Sequence, residues 1–302
     1  MENQKKKLKL ILAGSGKFAL QIVEKIQKDE RIDFIGVICD QAAGIEGNTI
    51  FLNNIKNLGL KEIFLEEEYL EQSDIILACE YRRAIPKWCV EKYRFLNCHV
   101  GLLPKYRGFS ANAWAIINGE SEIGYTIHQM DEKFDNGDIY YSKKFVISKE
   151  QIYADLYDII LKDITNNICD ILIQVYKNEL QPVKQTGKGL YFTRFYKEMG
   201  DLKDFSENSE YIRNLHRSMA RPLGTGIYFW FKGTKYYPGN VITGSDIGIE
   251  DYIGIPGKLV NREEKTIWVK TKDNLVILSD IQTEDGKKID DNFFRIGNKL
   301  GK

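Results

Sequence analysis

The sequence predicts an α/β protein with a mostly parallel sheet in its larger N-terminal part and a smaller β-rich domain behind it. Three observations predict this. Apolar runs at 8–13 (LKLILA), 34–39 (FIGVIC), 74–79 (DIILAC) and 95–98 (FLNC) alternate with stretches of helical spacing, the pattern of strands buried on both faces. The first run ends at Gly14-Ser15-Gly16, after which Phe18, Ala19, Ile22, Val23 and Ile26 recur at helical spacing, so strand, turn and helix follow in order. The last third breaks into short strands punctuated by Gly, Pro and Asp.

In chain order, the polar stretch 47–60 has a weakly helical middle, and Ile63-Phe64 forms a short strand. Residues 125–129 and 139–147 flank an acidic turn as a strand pair. A long helix at 149–178 carries Ile152, Leu156, Ile159, Ile160, Ile164, Ile168, Ile171, Leu172 and Val175 on one face. Residues 181–204 are polar and Gly-rich, as a linker would be. IYFWF, YIGIP, GKLV, TIWVKT and NLVILSDI then suit a small barrel-like domain. The expected division is a domain over 1–190, a linker over 191–204 and a β-rich domain over 205–302.

A length of 302 residues suits about two domains, and 43% hydrophobic residues supply a core. Lys+Arg and Asp+Glu are both 43, so there is no net basic excess of the kind that grips nucleic acid. Five scattered cysteines without a CxxC pair read as reduced, buried thiols. The basic start MENQKKK leads into an apolar run too short for a signal peptide, and no run approaches a bilayer span. A soluble cytoplasmic protein is the expectation.

The chemistry concentrates between Phe95 and Tyr141. Asn97 and His99 stand at a strand's carboxyl end, where open α/β sheets bind ligands. Asp131, Asp135 and Asp138 follow in and before the acidic turn. His moves protons near neutral pH, an Asn amide donates to an oxyanion, and a buried carboxylate fixes an imidazole and raises its pKa. That set suits acyl transfer to an amine, and the pattern leaves open which Asp takes part. His128 reads as a strand residue facing solvent. Three histidines without HExxH or clustered Cys leave too few ligands for a metal. A competing signal is Gly14-Ser15-Gly16-Lys17-Phe18-Ala19, which matches GxGxx(G/A), with Asp40 placed to hold a ribose; it points to an NAD-dependent oxidoreductase. A catalytically silent folate- or nucleotide-binding protein is a third class.

NCHVGLLPKYRG, GESEIGYTIHQMD and FDNGDIYY closely resemble the 10-formyltetrahydrofolate-dependent formyltransferases. The likeness continues through RFYKEMGDLKDF, IRNLHRSMARPLGTGIYFW and PGKLV…GKK, which look like the linker and C-terminal barrel of two-domain members. The resemblance implies a Rossmann-like formyltransferase domain, an OB-type C-terminal domain, and Asn97, His99 and Asp135 as the catalytic trio. It also implies a pocket for 10-formyltetrahydrofolate between the loop Glu80–Pro86 (Tyr81, Arg82, Arg83, Ala84, Ile85) and the segment Met130–Gly137 (Met130, Asp131, Gly137). Such pockets bind largely through backbone groups.

Members that act on methionyl-tRNA carry a basic insertion after the second strand. Here that place reads DQAAGIEGNTIFLNN, with Asp40 and Glu46 and no Lys or Arg before Lys56. The expected acceptor is therefore a nucleotide-linked amino sugar, used in surface polysaccharide (lipopolysaccharide O-antigen) synthesis, ahead of tRNA. Glu80, Arg82, Lys105, Tyr106 and Arg107 are candidates to hold the sugar and diphosphate. Tyr228, Phe229, Trp230, Tyr236, Tyr237 and Trp268 read equally as base-stacking groups or as barrel core. A homodimer through the C-terminal domain is a further expectation of the resemblance.

Overall fold

A computed structural model describes residues 6–40 and 45–302. Residues 41–44 and the Glu46 side chain, part of the acidic stretch after the second strand, lie outside the described residues, as does the start of the basic N-terminus.

The first half runs β1 (Leu8–Gly14), α1 (Gly16–Gln27), β2 (Ile32–Cys39), α2 (Ile45–Asn57), β3 (Glu62–Ile63), α3 (Glu67–Leu70), β4 (Ile75–Cys79), α4 (Lys87–Lys92) and β5 (Phe95–His99). It continues with β6 (Tyr106–Gly108), α5 (Ala111–Ile117), β7 (Glu122–Gln129), β8 (Ile139–Val146), α6 (Tyr153–Tyr176) and β9 (Leu190–Phe192). Seven strands make one sheet in the order β3-β2-β1-β4-β5-β7-β8. β3, β2, β1, β4 and β5 pair in parallel, and β7 turns antiparallel against β5. The apolar runs of β1, β4 and β5 are almost wholly buried, as expected of central parallel strands.

On α6, Leu156, Ile160, Ile164, Ile168, Ile171, Leu172 and Val175 are buried, while Ile159 is 48% exposed and drops out of the expected face. Asp163 on that helix accepts from Tyr125 Oη at 2.8 Å and pairs with Lys143, fastening α6 to β7 and β8. The helix starts four residues later than the spacing predicts. Glu150 N–H donates to Ser148 Oγ and Ser148 N–H to Gln151 Oε1, so these residues form a turn.

The chain divides into two compact units. The first comprises residues 1–111, 124–145 and 158–192, and the second comprises 112–123, 146–157 and 193–302. These units take in segments on both sides of the expected boundaries. Arg217 donates to the carbonyls of Ser148 and Gln151 (2.6 and 2.9 Å), and Ser218 Oγ donates to that of Ala113, drawing two early segments into the second unit. In the stretch read as a linker, β9 pairs with β6 in the first unit, and Leu202 lies in the second core.

The second unit adds α7 (Ser209–Met219), β10 (Phe229–Phe231), β11 (Thr234–Tyr237), β12 (Asn240–Thr243), β13 (Leu259–Glu263), β14 (Thr266–Lys270), β15 (Leu275–Ser279) and β16 (Gln282–Thr283). They form two antiparallel sheets, β10-β11-β16 and β12-β15-β14-β13. YIGIP is no strand, and its Ile253 is 98% exposed. Phe229 sits in the core within 6 Å of the Phe205, Tyr236 and Phe294 ring centroids (5.9, 5.8 and 5.8 Å). Tyr228 and Tyr237 are buried too, so these four aromatics serve the packing, and Trp230 and Trp268 are half-buried.

Ile160 and Ile159 give a direct test of which face α6 buries. Ile160→Ala is expected to destabilise the protein by about 2–5 kcal/mol and Ile159→Ala by less than about 1 kcal/mol, measured by urea unfolding.

Candidate active site

Side chains alternate along a strand, so Asn97 and His99 share one face of β5 and Cys98 takes the other. β7 lies beside it in a register that sets His128 opposite Asn97. Cross-strand partners point to the same face, and His128 is accordingly turned inward, 1% exposed, instead of facing solvent. The antiparallel register is the signal that finds it. Asp135 completes the group from the turn between β7 and β8, where its backbone takes the left-handed conformation (φ 51°).

The carboxylate of Asp135 accepts from Asn97 Nδ2 at 3.2 Å through Oδ1 and from Gly108 N–H at 2.7 Å through Oδ2. Oδ2 lies 3.6 Å from His99 Nδ1, and Oδ1 lies 3.5 Å from His128 Nε2. The ring tautomers follow from their carbonyl partners. His99 Nε2 is 2.8 Å from the Tyr106 carbonyl oxygen and His128 Nδ1 is 2.7 Å from that of Gln129. A carbonyl only accepts, so each of those nitrogens carries a hydrogen. A neutral ring then carries its lone pair on His99 Nδ1 or His128 Nε2; both atoms face Asp135, and protonation would turn either into a donor to the carboxylate. Asn97 Nδ2 reaches His128 Nε2 at 3.2 Å as well as the carboxylate, so both amide hydrogens are engaged and the amide has one orientation.

Burial pushes the Asp135 carboxyl up, but His99, His128 and the Gly108 N–H outweigh it and hold it down at about 2. It is an anion at neutral pH. For His99 burial wins: it pushes the imidazole below its ordinary 6.5, against the upward pull of Asp135, with His128 adding to the decrease. The expected rise is thus reversed. The arrangement is a neutral base with its free nitrogen beside a fixed anion.

The loop after β4 folds over the same end of the sheet. Tyr81 and Ile85 pack, half-buried, on the apolar cluster of Ile11, Ala13, Ile76 and Phe95, and Met130 packs on that cluster from the other expected wall. Arg82, Arg83 and Ala84 are exposed. Arg82 N–H donates to Asp40 Oδ2 at 2.8 Å. Among the described residues, the backbone groups of Arg83, Ala84 and Ile85 make no hydrogen bond and are available to a ligand. Asp131 is spent within its own loop, accepting from Lys133 N–H and Asn136 Nδ2 (both 2.8 Å). Gly137 lies so close to the Gln129 carbonyl that an added Cβ would overlap it.

Of the expected sugar and diphosphate residues, Lys105 is exposed with its ammonium 5.7 Å from the Tyr106 ring centroid. The Tyr106 ring is buried and stacks on Phe192 at 5.0 Å. Arg107 donates to Gln185 Oε1 at 2.7 Å. Glu80 reaches the N-terminus of α1, its Oε2 2.9 Å from where a Cβ on Gly16 would lie. Asp40 is fully buried and committed to the Arg82 N–H. The place where a dinucleotide would set its phosphates and ribose thus holds the chain's own carboxylates, and the dinucleotide reading loses its site. Among the described residues, no group of three or more His, Cys, Asp or Glu is arranged to hold a metal, and no helix is long and apolar enough to cross a membrane. All five cysteines are buried and unpaired.

Residues 6–170 match the formyl transferase family and residues 196–298 the formyl transferase C-terminal domain. The chain belongs to the formyl transferase family. It is 26% identical over 298 residues to the methionyl-tRNA formyltransferase of Clostridium novyi, covering 93% of this chain and 94% of that one. With the methionyl-tRNA formyltransferase of Fusobacterium nucleatum the identity is 28% over 319 residues, covering 97% and 100%. Among solved structures, its fold is similar to that of WlaRD, a sugar 3N-formyl transferase crystallised with dTDP and 5-N-formyl-THF. The TM-score is 0.68 at 22% identity, with 90% of this chain and 97% of that one covered. An N-formyltransferase from Helicobacter canadensis, in complex with folinic acid and dTDP-3-aminofucose, gives 0.66 at 24%, covering 90% and 98%.

The electrostatics of the site predict how His99 titrates. By NMR it is expected to titrate below 6.5. Asp135→Asn removes the anion that favours the imidazolium, so the His99 pKa is expected to fall further. A rise in that variant would show that the carboxylate is not coupled to the ring.

Proposed function

We propose that this member of the formyl transferase family moves a formyl group from 10-formyltetrahydrofolate to the amine of a nucleotide-linked amino sugar. The observation that carries the reading is the Asn97–His99–Asp135 group, with a buried neutral imidazole, a buried anion and a half-buried amide donor within hydrogen-bonding or ion-pairing reach. The donor supplies an activated formyl carbonyl. The fit to a folate rests on the half-buried Tyr81, Ile85 and Met130 on one apolar cluster, and on the unengaged backbone of 83–85 beside them. An apolar wall with convergent backbone groups suits a flat, hydrogen-bonding heterocycle.

Each member of the trio has a role that its contacts define. His99 Nδ1 accepts the proton of the attacking amine and hands it to the folate nitrogen as the formyl C–N bond to that nitrogen breaks, while Tyr106 O holds Nε2–H and so keeps the ring in the tautomer that can do this. Asp135, ionised down to about pH 2, stabilises the imidazolium that results. Asn97 donates to the formyl oxygen as negative charge develops there. Both its hydrogens are engaged beforehand, so one must be released, and the N–H···N bond to His128 at 3.2 Å is the weaker claim. A charged oxygen is the stronger acceptor and draws that hydrogen over.

The acceptor assignment rests on the stretch 40–55, which holds no Lys or Arg with which to meet a tRNA stem. The fold likeness to sugar formyltransferases solved with dTDP or a dTDP-amino sugar supports it. In this reading the exposed Arg82 and Lys105 meet the diphosphate, with Glu80 at the sugar. The second reading, methionyl-tRNA as acceptor, is favoured by the curated relatives of that name at 26% and 28% identity.

Incubation with 10-formyltetrahydrofolate and a panel of dTDP-, UDP- and GDP-linked amino sugars is expected to add one formyl group to at least one of them, read by mass spectrometry. Activity on charged initiator tRNA alone would overturn the sugar assignment. His99→Asn is expected to lower turnover by ~10²-fold or more.

A further inference from the structure

We propose that Gln185, locked in place by Arg107, is a positioning residue that holds Asp135 in register with His99. The inference rests on the formyl-transfer reading of the trio and adds two residues to it.

The segment after α6 is pinned at both ends. Val183 and Ile139 exchange backbone hydrogen bonds (2.8 and 2.9 Å), and β9 pairs in parallel with β6. Between these anchors the Gln185 amide reaches the catalytic turn. Its Nε2 donates to the carbonyl oxygens of Asp135 at 3.0 Å and Gly137 at 2.8 Å, while its Oε1 accepts from Arg107 at 2.7 Å. Carbonyls only accept and guanidinium only donates, so the side chain fits one way round. Tyr191 Oη adds a third hold, donating to the Phe134 carbonyl at 2.9 Å.

These bonds matter because Asp135 has φ 51°, a conformation that a residue with a side chain keeps only when its surroundings over-determine it. Carbonyls 134, 135 and 137 bracket that residue. Fixing them fixes where the carboxylate points, and Oδ2 is already 3.6 Å from His99 Nδ1. A small rotation of the turn would uncouple the two groups.

Arg107 faces inward to do this. Its guanidinium lies over the Tyr191 ring at 5.7 Å, and Gly189 passes so close that a Cβ there would be 2.6 Å from Cζ. Its Nε is buried without a partner. Half-buried in this way, Arg107 has its guanidinium committed to Gln185, and its effect on the reaction runs through that residue.

The test compares Gln185→Leu, Gln185→Glu, Arg107→Ala and the double variant Arg107→Ala/Gln185→Leu with wild type under steady-state conditions across pH. Gln185→Glu keeps a partner for Arg107 but offers oxygens where the turn needs a donor. A purely structural pair would leave its kcat intact, whereas positioning predicts a loss. The expected result is a kcat lower by about 10-fold or more in every variant, with KM for both substrates unchanged. The double variant should be no worse than the poorer single one. The acid limb of the pH profile should also move to lower pH, since a displaced Asp135 no longer supports the His99 imidazolium, which is otherwise faced by His128 and the Tyr106 carbonyl. An acceptor KM that rises in Arg107→Ala with kcat unchanged would overturn the inference, as would wild-type kcat in Gln185→Glu. Absence of formyl transfer by the wild-type chain would instead refute the reading of function.

Discussion

Keeping a charge on a buried carboxylate is the constraint around which the N-terminal unit is arranged. Moving an anion out of water costs several kcal/mol unless donors and opposite charges replace the solvent. Asp135 meets this with a backbone N–H from β6, an amide from β5 and imidazoles from β5 and β7. The ion pair with His99 is left incomplete at 3.6 Å with the ring neutral. Uptake of one proton by His99 is what completes it, so the site is stabilised electrostatically when that ring is charged.

The sheet determines where such a site can form. In doubly wound sheets the usual binding crevice is the switch point, here between β1 and β4. This chain has closed it with its own groups: Asp40 accepts from the loop after β4, Ser15 Oγ donates to the Glu80 carbonyl at 3.2 Å, and the Glu80 carboxylate covers Gly16. The Asn97–His99–Asp135 group lies further along, where β7 turns antiparallel against β5. That reversal sets two strand side chains opposite one another, the half-buried Asn97 and the buried His128.

Much of this was legible in the sequence because it depends on apolar periodicity. β1, β2, β4 and β5 announce themselves as continuous apolar runs, and α6 by spacing, although one of its isoleucines faces out. What periodicity misses is structure held by polar groups. α7 buries Arg213, Asn214, His216 and Arg217, so its inward face does not look apolar. Residues 181–192 read as a linker because they are polar, yet their polarity is what lets Gln185 and Tyr191 bond to the turn that carries Asp135. Asn97, His99 and Asp135 are brought together as the resemblance implied. His128 was hidden because its orientation depends on a strand register that local spacing does not encode. The upward pull of a carboxylate on a neighbouring imidazole's pKa operates here but is outweighed by burial, and the degree of burial is a property of the fold.

The interleaving of the two compact units bears on how such proteins exchange parts. Residues 112–123 and 146–157 belong with 193–302, where Ile117 enters the core and Arg217 binds the carbonyls at 148 and 151. The second unit is therefore not a cassette that begins after residue 192. A graft from a relative at that junction would bring a core without its Ile117 and an arginine without its acceptors. Transplanting the unit intact requires exchanging three separate segments of the gene, so recombination between family members is expected to preserve its pairing with the α5 and pre-α6 segments as a single inheritance.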